Sequence, residues 1–367
     1  MREYEKEDIE REIEKQINEF KQSKKPTILL MGQTGAGKTS AALEYIFDDP
    51  RAKIGSGAEP CTEGITLFPG ENINVYDSEG YEIGRQEHYR NLIMDGFLKD
   101  SSKQGADGIQ AVWYFISGAG KRITDYDKNL IQEVQSMGYK VALIISKIDE
   151  MSEDELKDLK SEAKKGLTSP VFQISTHPDI RDNEELTDWN GLAKWTADIL
   201  PEVFKDRYVL SLKNSLKAKK EMINKWILAA AAAAAAVAAT PIPMADAPIL
   251  IGIQATLIYK ILSAYNISVA NGTITALLSS VSIANAGRWL CGSLLKLVPF
   301  FGSAVNATVA SSFTFAIGKG IDALCQKQAE QMLAGKEVII DIDKILSSGD
   351  FLQTIKENME AYKKLNK

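Results

Sequence analysis

The period of the hydrophobic positions changes along this chain, and each change marks a different kind of element. From Met1 to Ser23 the sequence is charged, with Ile9, Ile13, Ile17 and Phe20 at helical spacing. That spacing predicts one amphipathic helix with a single apolar stripe. A lone helix of this length is marginal in water, so the stripe is expected to pack on another part of the protein. Lys25-Pro26 ends it.

From Thr27 the pattern becomes short apolar runs separated by charged stretches of helical period. The runs are Thr27 to Met31, Ile73 to Tyr76, Ala111 to Ile116, Val141 to Ile145 and Val171 to Ile174, with Ile65 to Phe68 as an edge-strand candidate. Uninterrupted apolar runs suit strands buried on both faces of a parallel sheet. The stretches Gln86 to Lys99, Asp125 to Gln135 and Glu153 to Lys164 suit crossover helices. The alternation predicts a doubly wound, mainly parallel α/β domain ending near Leu200.

Phe204 to Lys225 is basic and helical in pattern, and then charge almost vanishes. Between Trp226 and Ile321 the charged residues are Asp246, Lys260, Arg288, Lys296 and Lys319. An alanine run, Ala229 to Ala236, lies there, and prolines interrupt the region at Pro241, Pro243 and Pro299. The tail from Glu337 is charged again, with Phe351, Leu352, Ile355, Met359 and Tyr362 as a helical stripe. The expected layout is an N-terminal helix over 1–24, an α/β domain over 25–203 and an all-α domain over 204–367 with a low-charge core at 226–321. That core has two readings. Ile261 to Gly287 and Leu297 to Gly318 are long enough to span a bilayer. Their many Ser, Thr and Asn residues, and the small alanines, equally suit a close-packed soluble or peripherally bound bundle.

Composition adds limits. The 367 residues are ample for two domains, and 45% hydrophobic with 25% charged residues is ordinary for a globular protein. A net charge of -6 argues against nucleic acid as the main partner, which needs a basic footprint. Cys61, Cys291 and Cys325 lie far apart, which points to a reducing compartment and to neither a disulfide framework nor a zinc site. The charged segment Arg2 to Lys15 is unlike a secretory signal peptide, so a cytoplasmic location is expected, with or without attachment to the cytoplasmic face of a membrane.

The chemistry concentrates in four short motifs. Gly32-Gln33-Thr34-Gly35-Ala36-Gly37-Lys38-Thr39 follows an apolar strand and precedes a helical stretch that opens with Ser40. That is the context of a phosphate-binding P-loop, not of a glycine-rich turn with an incidental lysine. Its glycines let backbone N–H groups curl around phosphate oxygens, Lys38 brings a point charge, and the Thr39 hydroxyl can ligate Mg2+. Asp77-Ser78-Glu79-Gly80 ends a strand, so Asp77 can support the metal and the Gly80 amide can meet a γ-phosphate. Ser146-Lys147-Ile148-Asp149 ends the strand Val141 to Ile145. The Asp149 carboxylate can accept from guanine N1 and its exocyclic amine, donors that adenine does not present together, while the Lys147 stem lies along the base. Ser175-Thr176 can offer backbone N–H to the guanine carbonyl. Thr62, within Pro60-Cys61-Thr62-Glu63-Gly64, is the choice for a second magnesium ligand, with Thr66 the alternative. His88 and His177 carry no visible chemistry. Any of the shorter motifs alone would be weak; their order at successive strand ends is not.

These motifs resemble those of translation-factor-class P-loop GTPases, and are most similar to the Era-like and septin-like groups, including the immunity-related GTPases. The resemblance covers about Lys25 to Leu200. It implies GTP and GDP as ligands, Mg2+ as cofactor, and hydrolysis of GTP to GDP and phosphate with Lys38, Thr62 and Gly80 at the reacting phosphate. The segments Ala239 to Pro248, Ile249 to Lys260 with Gln254, and Val298 to Val305 leading to Gly318 resemble an uncharacterised helical domain that follows some bacterial Era-like GTPases. Several residues depart from the family pattern. Ser146 stands where many relatives have an asparagine that braces the loop, so it is expected to do less. Thr176 replaces an alanine. Tyr81 stands where Ras-like enzymes place the water-orienting glutamine, and its phenol is a poor substitute. Thr34 and Gly35 depart from the residues that admit an arginine finger or a potassium ion. Slow unaided turnover is therefore expected, with pairing of two G domains across their nucleotides as a remaining route. The helical domain is expected to dock on the G domain and to respond to the bound nucleotide.

Overall fold

The computed structural model describes residues 3–46, 64–105, 107–213, 216–239, 246–265, 267, 307–333, 357–358, 360–362 and 364. Thr62, with Pro60, Cys61 and Glu63, lies outside them, as does most of the C-terminal stripe. The chain divides into two compact units: residues 24–219, and residues 1–23 together with 220–367.

The first unit is a mixed α/β layer structure around a six-stranded sheet of order β2-β3-β1-β4-β5-β6. The strands are β1 Thr27–Gly32, β2 Ile65–Pro69, β3 Asn74–Ser78, β4 Ala111–Ser117, β5 Val141–Ser146 and β6 Val171–Gln173. Burial follows the sequence pattern. The uninterrupted apolar runs β1, β4 and β5 occupy the centre, and β1 and β5 are buried at every position. β2, less apolar and with Leu67 exposed, takes the edge and pairs antiparallel with β3. Every other pairing is parallel. The carboxyl ends of β1, β3, β4, β5 and β6 therefore share one edge of the sheet, where all four motifs begin.

The helices of this unit are α2 Lys38–Tyr45, α3 Gln86–Arg90, α4 Asp125–Ser136, α5 Glu153–Lys164, α6 Trp189–Ile199 and α7 Glu202–Ser211. α4 and α5 begin with reciprocal capping boxes, Thr124/Asp127 and Ser152/Glu155. Such caps satisfy orphan N–H groups and are worth about 1 kcal/mol each. The stretch expected as one helix from Gln86 departs from α geometry: α3 runs into a π-helical segment, Asn91–Leu98, that buries Ile93, Met94 and Leu98.

The second unit is helical, with α1 Glu3–Lys21, most of α8 Leu216–Ala239, α9 Asp246–Ala264 and α10 Ala307–Leu333. Ile13, Ile17 and Phe20 of the α1 stripe are buried, and the Phe20 ring meets Tyr259 of α9 edge-on. Small residues allow close approach. A Cβ added to Gly252 would lie 3.1 Å from Gln16 Cγ, and one added to Gly318 would lie 2.7 Å from Ile227 Cγ1. Buried polar groups pair between α9 and α10: Gln254 donates to Thr314 (3.2 Å) and Tyr265 to Asp322 (2.7 Å). Cys325 is a buried free thiol, and burial pushes its pKa up to about 12, consistent with use as a small apolar residue. Among the described residues one helical stretch, Lys219–Ala239, is long and apolar enough to cross a membrane, and 33% of its most apolar window is buried.

Candidate functional site

The loop after β1 is shaped by its glycines. Gly32 has φ +124°, and a Cβ there would collide with the Phe115 carbonyl on β4. Gly37 adopts the left-handed conformation at the start of α2, which has no side-chain cap. The first N–H groups of α2 are thus left without a side-chain acceptor, the usual setting for an anion at a helix N-terminus. Lys38 opens this helix and is 7% exposed, its Nζ donating to the Gln33 carbonyl at 3.0 Å. Burial lowers its pKa to about 8, against the opposing pull of Asp77 and Glu79. The Thr39 hydroxyl donates to Asp77 Oδ2 at 2.5 Å, and Asp77 is buried at the end of β3. The predicted Lys38, Thr39 and Asp77 thus converge on one point, with Gly35, Ala36, Gly37 and Ser40 around it.

The segment after β3 lies directly on this loop. A Cβ at Gly80 would collide with the backbone of Thr34. Tyr81 N–H donates to the Gly32 carbonyl and Thr34 N–H to the Tyr81 carbonyl, each at 3.1 Å. Thr34 Oγ1 is buried with no hydrogen-bond partner among the described residues. The Glu79 carboxylate accepts from Gly64 N–H at 2.7 Å, and His88 Nε2 lies 3.5 Å from it. Thr66 faces Asp77 across the β2–β3 pairing. Tyr81 turns inward: its hydroxyl donates to Asp127 Oδ1 at 2.6 Å and accepts from Gln33 Nε2 at 3.1 Å. Burial, then the bond to Asp127, raises the Tyr81 pKa well above the usual phenol value.

The third and fourth motifs meet on the other side of the loop. Ser146, expected to do less than an asparagine, is buried against the loop. Its hydroxyl donates to the Ala36 carbonyl at 2.7 Å, with the Ile116 carbonyl at 3.1 Å, so it still ties the loop to β5. Lys147 takes a left-handed conformation (φ 53°), and its stem is half-buried. Asp149 is exposed and accepts a hydrogen bond from the Ser175 hydroxyl, which itself accepts from His177 N–H at 2.9 Å. Thr176 is exposed beside it.

Sequence reasoning missed two supports. Tyr45 stacks on Trp189, and its hydroxyl donates to the Ser175 carbonyl at 3.2 Å, which fixes the fourth motif from behind. Nothing in the local sequence signals this. Asp127 is the second, a buried carboxylate at the capped start of α4.

No family model matches the chain. GTPase Der of Sulfurimonas denitrificans (strain ATCC 33889 / DSM 1251) is 34% identical over 106 residues, 29% of this chain and 19% of that protein. The match therefore spans less than a fifth of that relative's length. Among solved structures, a probable GTP-binding protein engB is 16% identical with a TM-score of 0.34, covering 47% of this chain and 97% of that one. Translation elongation factor SelB from Methanococcus maripaludis, in complex with the GTP analogue GppNHp, is 16% identical with a TM-score of 0.32, covering 49% and 35%.

Proposed function

We propose that this chain binds guanine nucleotide with Mg2+ and hydrolyses GTP slowly, as a member of the Era-like and septin-like GTPases. The observation that carries the reading is the convergence at one sheet edge of Lys38, Thr39, Asp77 and Gly80, with Asp149 set on the other side of the same loop. Lys38, the α2 amides and the loop N–H groups would receive the β- and γ-phosphates. Thr39 and Asp77 offer the oxygen donors a hard cation takes, and Thr62, or Thr66 in its place, would complete the set. Mg2+, when bound, supplies charge to offset that developing on the phosphates. Gly80 would donate its amide to the γ-phosphate. Asp149 would accept from the guanine edge, with Ser175 orienting its carboxylate and Thr176 N–H near the guanine carbonyl.

Slow turnover follows from Tyr81. Its hydroxyl is committed to Asp127, so it does not orient an attacking water. Titration of the full chain with GDP, a non-hydrolysable GTP analogue and ATP tests the proposal. Micromolar or tighter binding of both guanine nucleotides, with ATP at least a hundredfold weaker, supports it; equal affinity for ATP contradicts it.

The output of the cycle has two readings. The inward Tyr81 leaves the water position to be served by another group, which favours pairing of two copies across their nucleotides; specific activity independent of protein concentration would remove this reading. The apolar stretch Lys219–Ala239 favours a switch at a membrane, in which nucleotide state reaches the helical unit. Liposome flotation with GDP and with the GTP analogue tests that, and no flotation in either state counts against it.

A further inference from the structure

The carboxylate of Asp127 is fully buried at the first turn of α4, and its donors come from its own N-cap, from β4 and from the segment after β3. Oδ1 accepts from the Tyr81 hydroxyl (2.6 Å) and the Tyr114 hydroxyl of β4 (2.8 Å). Oδ2 accepts from Thr124 N–H (2.8 Å) and the Thr124 hydroxyl (2.7 Å). Gln33, the second residue of the P-loop, completes the ring: its Nε2 donates to the Tyr81 hydroxyl, and its Oε1 accepts from Ser117 N–H at 3.3 Å.

A capping box needs only Thr124 N–H donating to the Asp127 carboxylate and Asp127 N–H donating to the Thr124 hydroxyl (3.2 Å). The phenol of Tyr81 is surplus to helix capping, and it sits one residue after Gly80. At the backbone, Tyr81 is also bonded on both sides to the P-loop, through Gly32 and Thr34. A buried carboxylate is costly to leave short of donors, and a buried phenol is costly to leave without an acceptor. Tyr81 therefore holds the start of its segment down on the P-loop at both backbone and side chain, through bonds between protein groups alone.

We propose that Asp127 and Tyr81 are positioning residues that clamp the Gly80 amide onto the P-loop in advance, so that the site is set for a nucleoside triphosphate over a diphosphate. This rests on the guanine-nucleotide reading above. A loop that must be ordered by the γ-phosphate lowers the apparent affinity for the triphosphate by the fraction of time it is out of place. A clamped loop removes that loss. The diphosphate does not reach Gly80 and gains nothing.

The test uses the full chain and the variants Tyr81→Phe, Asp127→Asn and, as a control for plain destabilisation, Thr196→Val. The last removes a buried hydroxyl that accepts from Trp113 on β4, outside this ring. Two quantities are read: the affinities for GDP and for a non-hydrolysable GTP analogue, and amide exchange at Thr34 and Tyr81 in the nucleotide-free protein. Tyr81→Phe and Asp127→Asn are expected to weaken the analogue about tenfold and GDP less than twofold, and to speed exchange at both amides about tenfold. Thr196→Val is expected to change neither the affinity ratio nor the two amides. Equal weakening of both nucleotides, or an unchanged ratio, overturns the clamp. Failure of the unmodified chain to bind guanine nucleotide while the two amides still respond to Tyr81→Phe would overturn the guanine reading and leave a clamp with no triphosphate to serve, which also ends this proposal in its stated form.

Discussion

In residues 24–219 several buried polar side chains gather at one sheet edge, whereas in the helical unit Gln254 and Tyr265 pair with groups on a facing helix. Lys38, Asp77, Ser78, Asp127, Ser146 and Ser175 are all buried at or near the carboxyl edge of one sheet, and several face a loop rather than each other. Gln254 closes on Thr314 across two helices, and Asp322 accepts from Tyr265 and from Gln326 of its own helix. The first arrangement gathers polar groups from several strand ends around one loop, at the cost of burying a lysine. The second satisfies polar groups internally and serves packing. Burial of polar residues alone therefore does not mark a site; shared direction does.

Removing the aimed charge should have the largest effect. Lys38→Ala is expected to weaken GDP and GTP-analogue binding by about 100-fold or more, as truncating one side of a buried charge contact typically costs 2–5 kcal/mol. Thermal stability of the nucleotide-free chain should not fall with it, because the lysine is held buried with its charge disfavoured. Calorimetric titration and a melting curve read both. Breaking an internal pair should behave in the opposite way. Thr314→Val leaves the Gln254 amide buried without its acceptor and is expected to cost about 1–3 kcal/mol in chemical denaturation. Adding Gln254→Leu should recover most of that loss, and nucleotide affinity should stay unchanged throughout.

Smaller effects sharpen the contrast within the site. Ser146→Ala removes the tie from β5 to the Ala36 carbonyl and is expected to weaken nucleotide binding about tenfold. An unchanged affinity would mean the serine brace is idle. The smallest effect is with pH. Lys38 titrates near 8 in the folded nucleotide-free chain and at 10.5 ordinarily, so between these values the unfolded chain holds more protons. This residue therefore makes stability rise with pH across that window. Nucleotide binding needs the charged form, so affinity should fall a few-fold from about pH 7 to 8.5, with proton uptake on binding that appears as a buffer-dependent heat.

Much of the first unit was legible because strand burial is written as uninterrupted apolar runs, and because the P-loop glycines answer to local backbone demands. Gly32 and Gly80 are required by close approach to Phe115 and Thr34, and both were read as site residues from their motifs. What was hidden depends on which tertiary neighbour a side chain meets. Tyr81 was expected to stand near the attacking water, but the acceptor that draws it inward is Asp127, distant in sequence. Ser146 was expected to do less than an asparagine, and its partner, the Ala36 carbonyl, is set by the tertiary approach of the loop. The helical unit was legible as helical and no further, since low charge and small residues suit both a close-packed bundle and a membrane segment.

The central claim is that Asp149 selects guanine, and exchanging its chemistry tests it most directly. Competition of GTP and xanthosine triphosphate should be measured on the full chain and on Asp149→Asn. The carboxylate accepts from the guanine N1 and amine hydrogens, whereas an amide can donate to the carbonyl that xanthine carries in place of the amine. The account predicts that GTP wins on the unmodified chain by at least about 100-fold and that the preference reverses in Asp149→Asn. Retention of the GTP preference in the variant would contradict it.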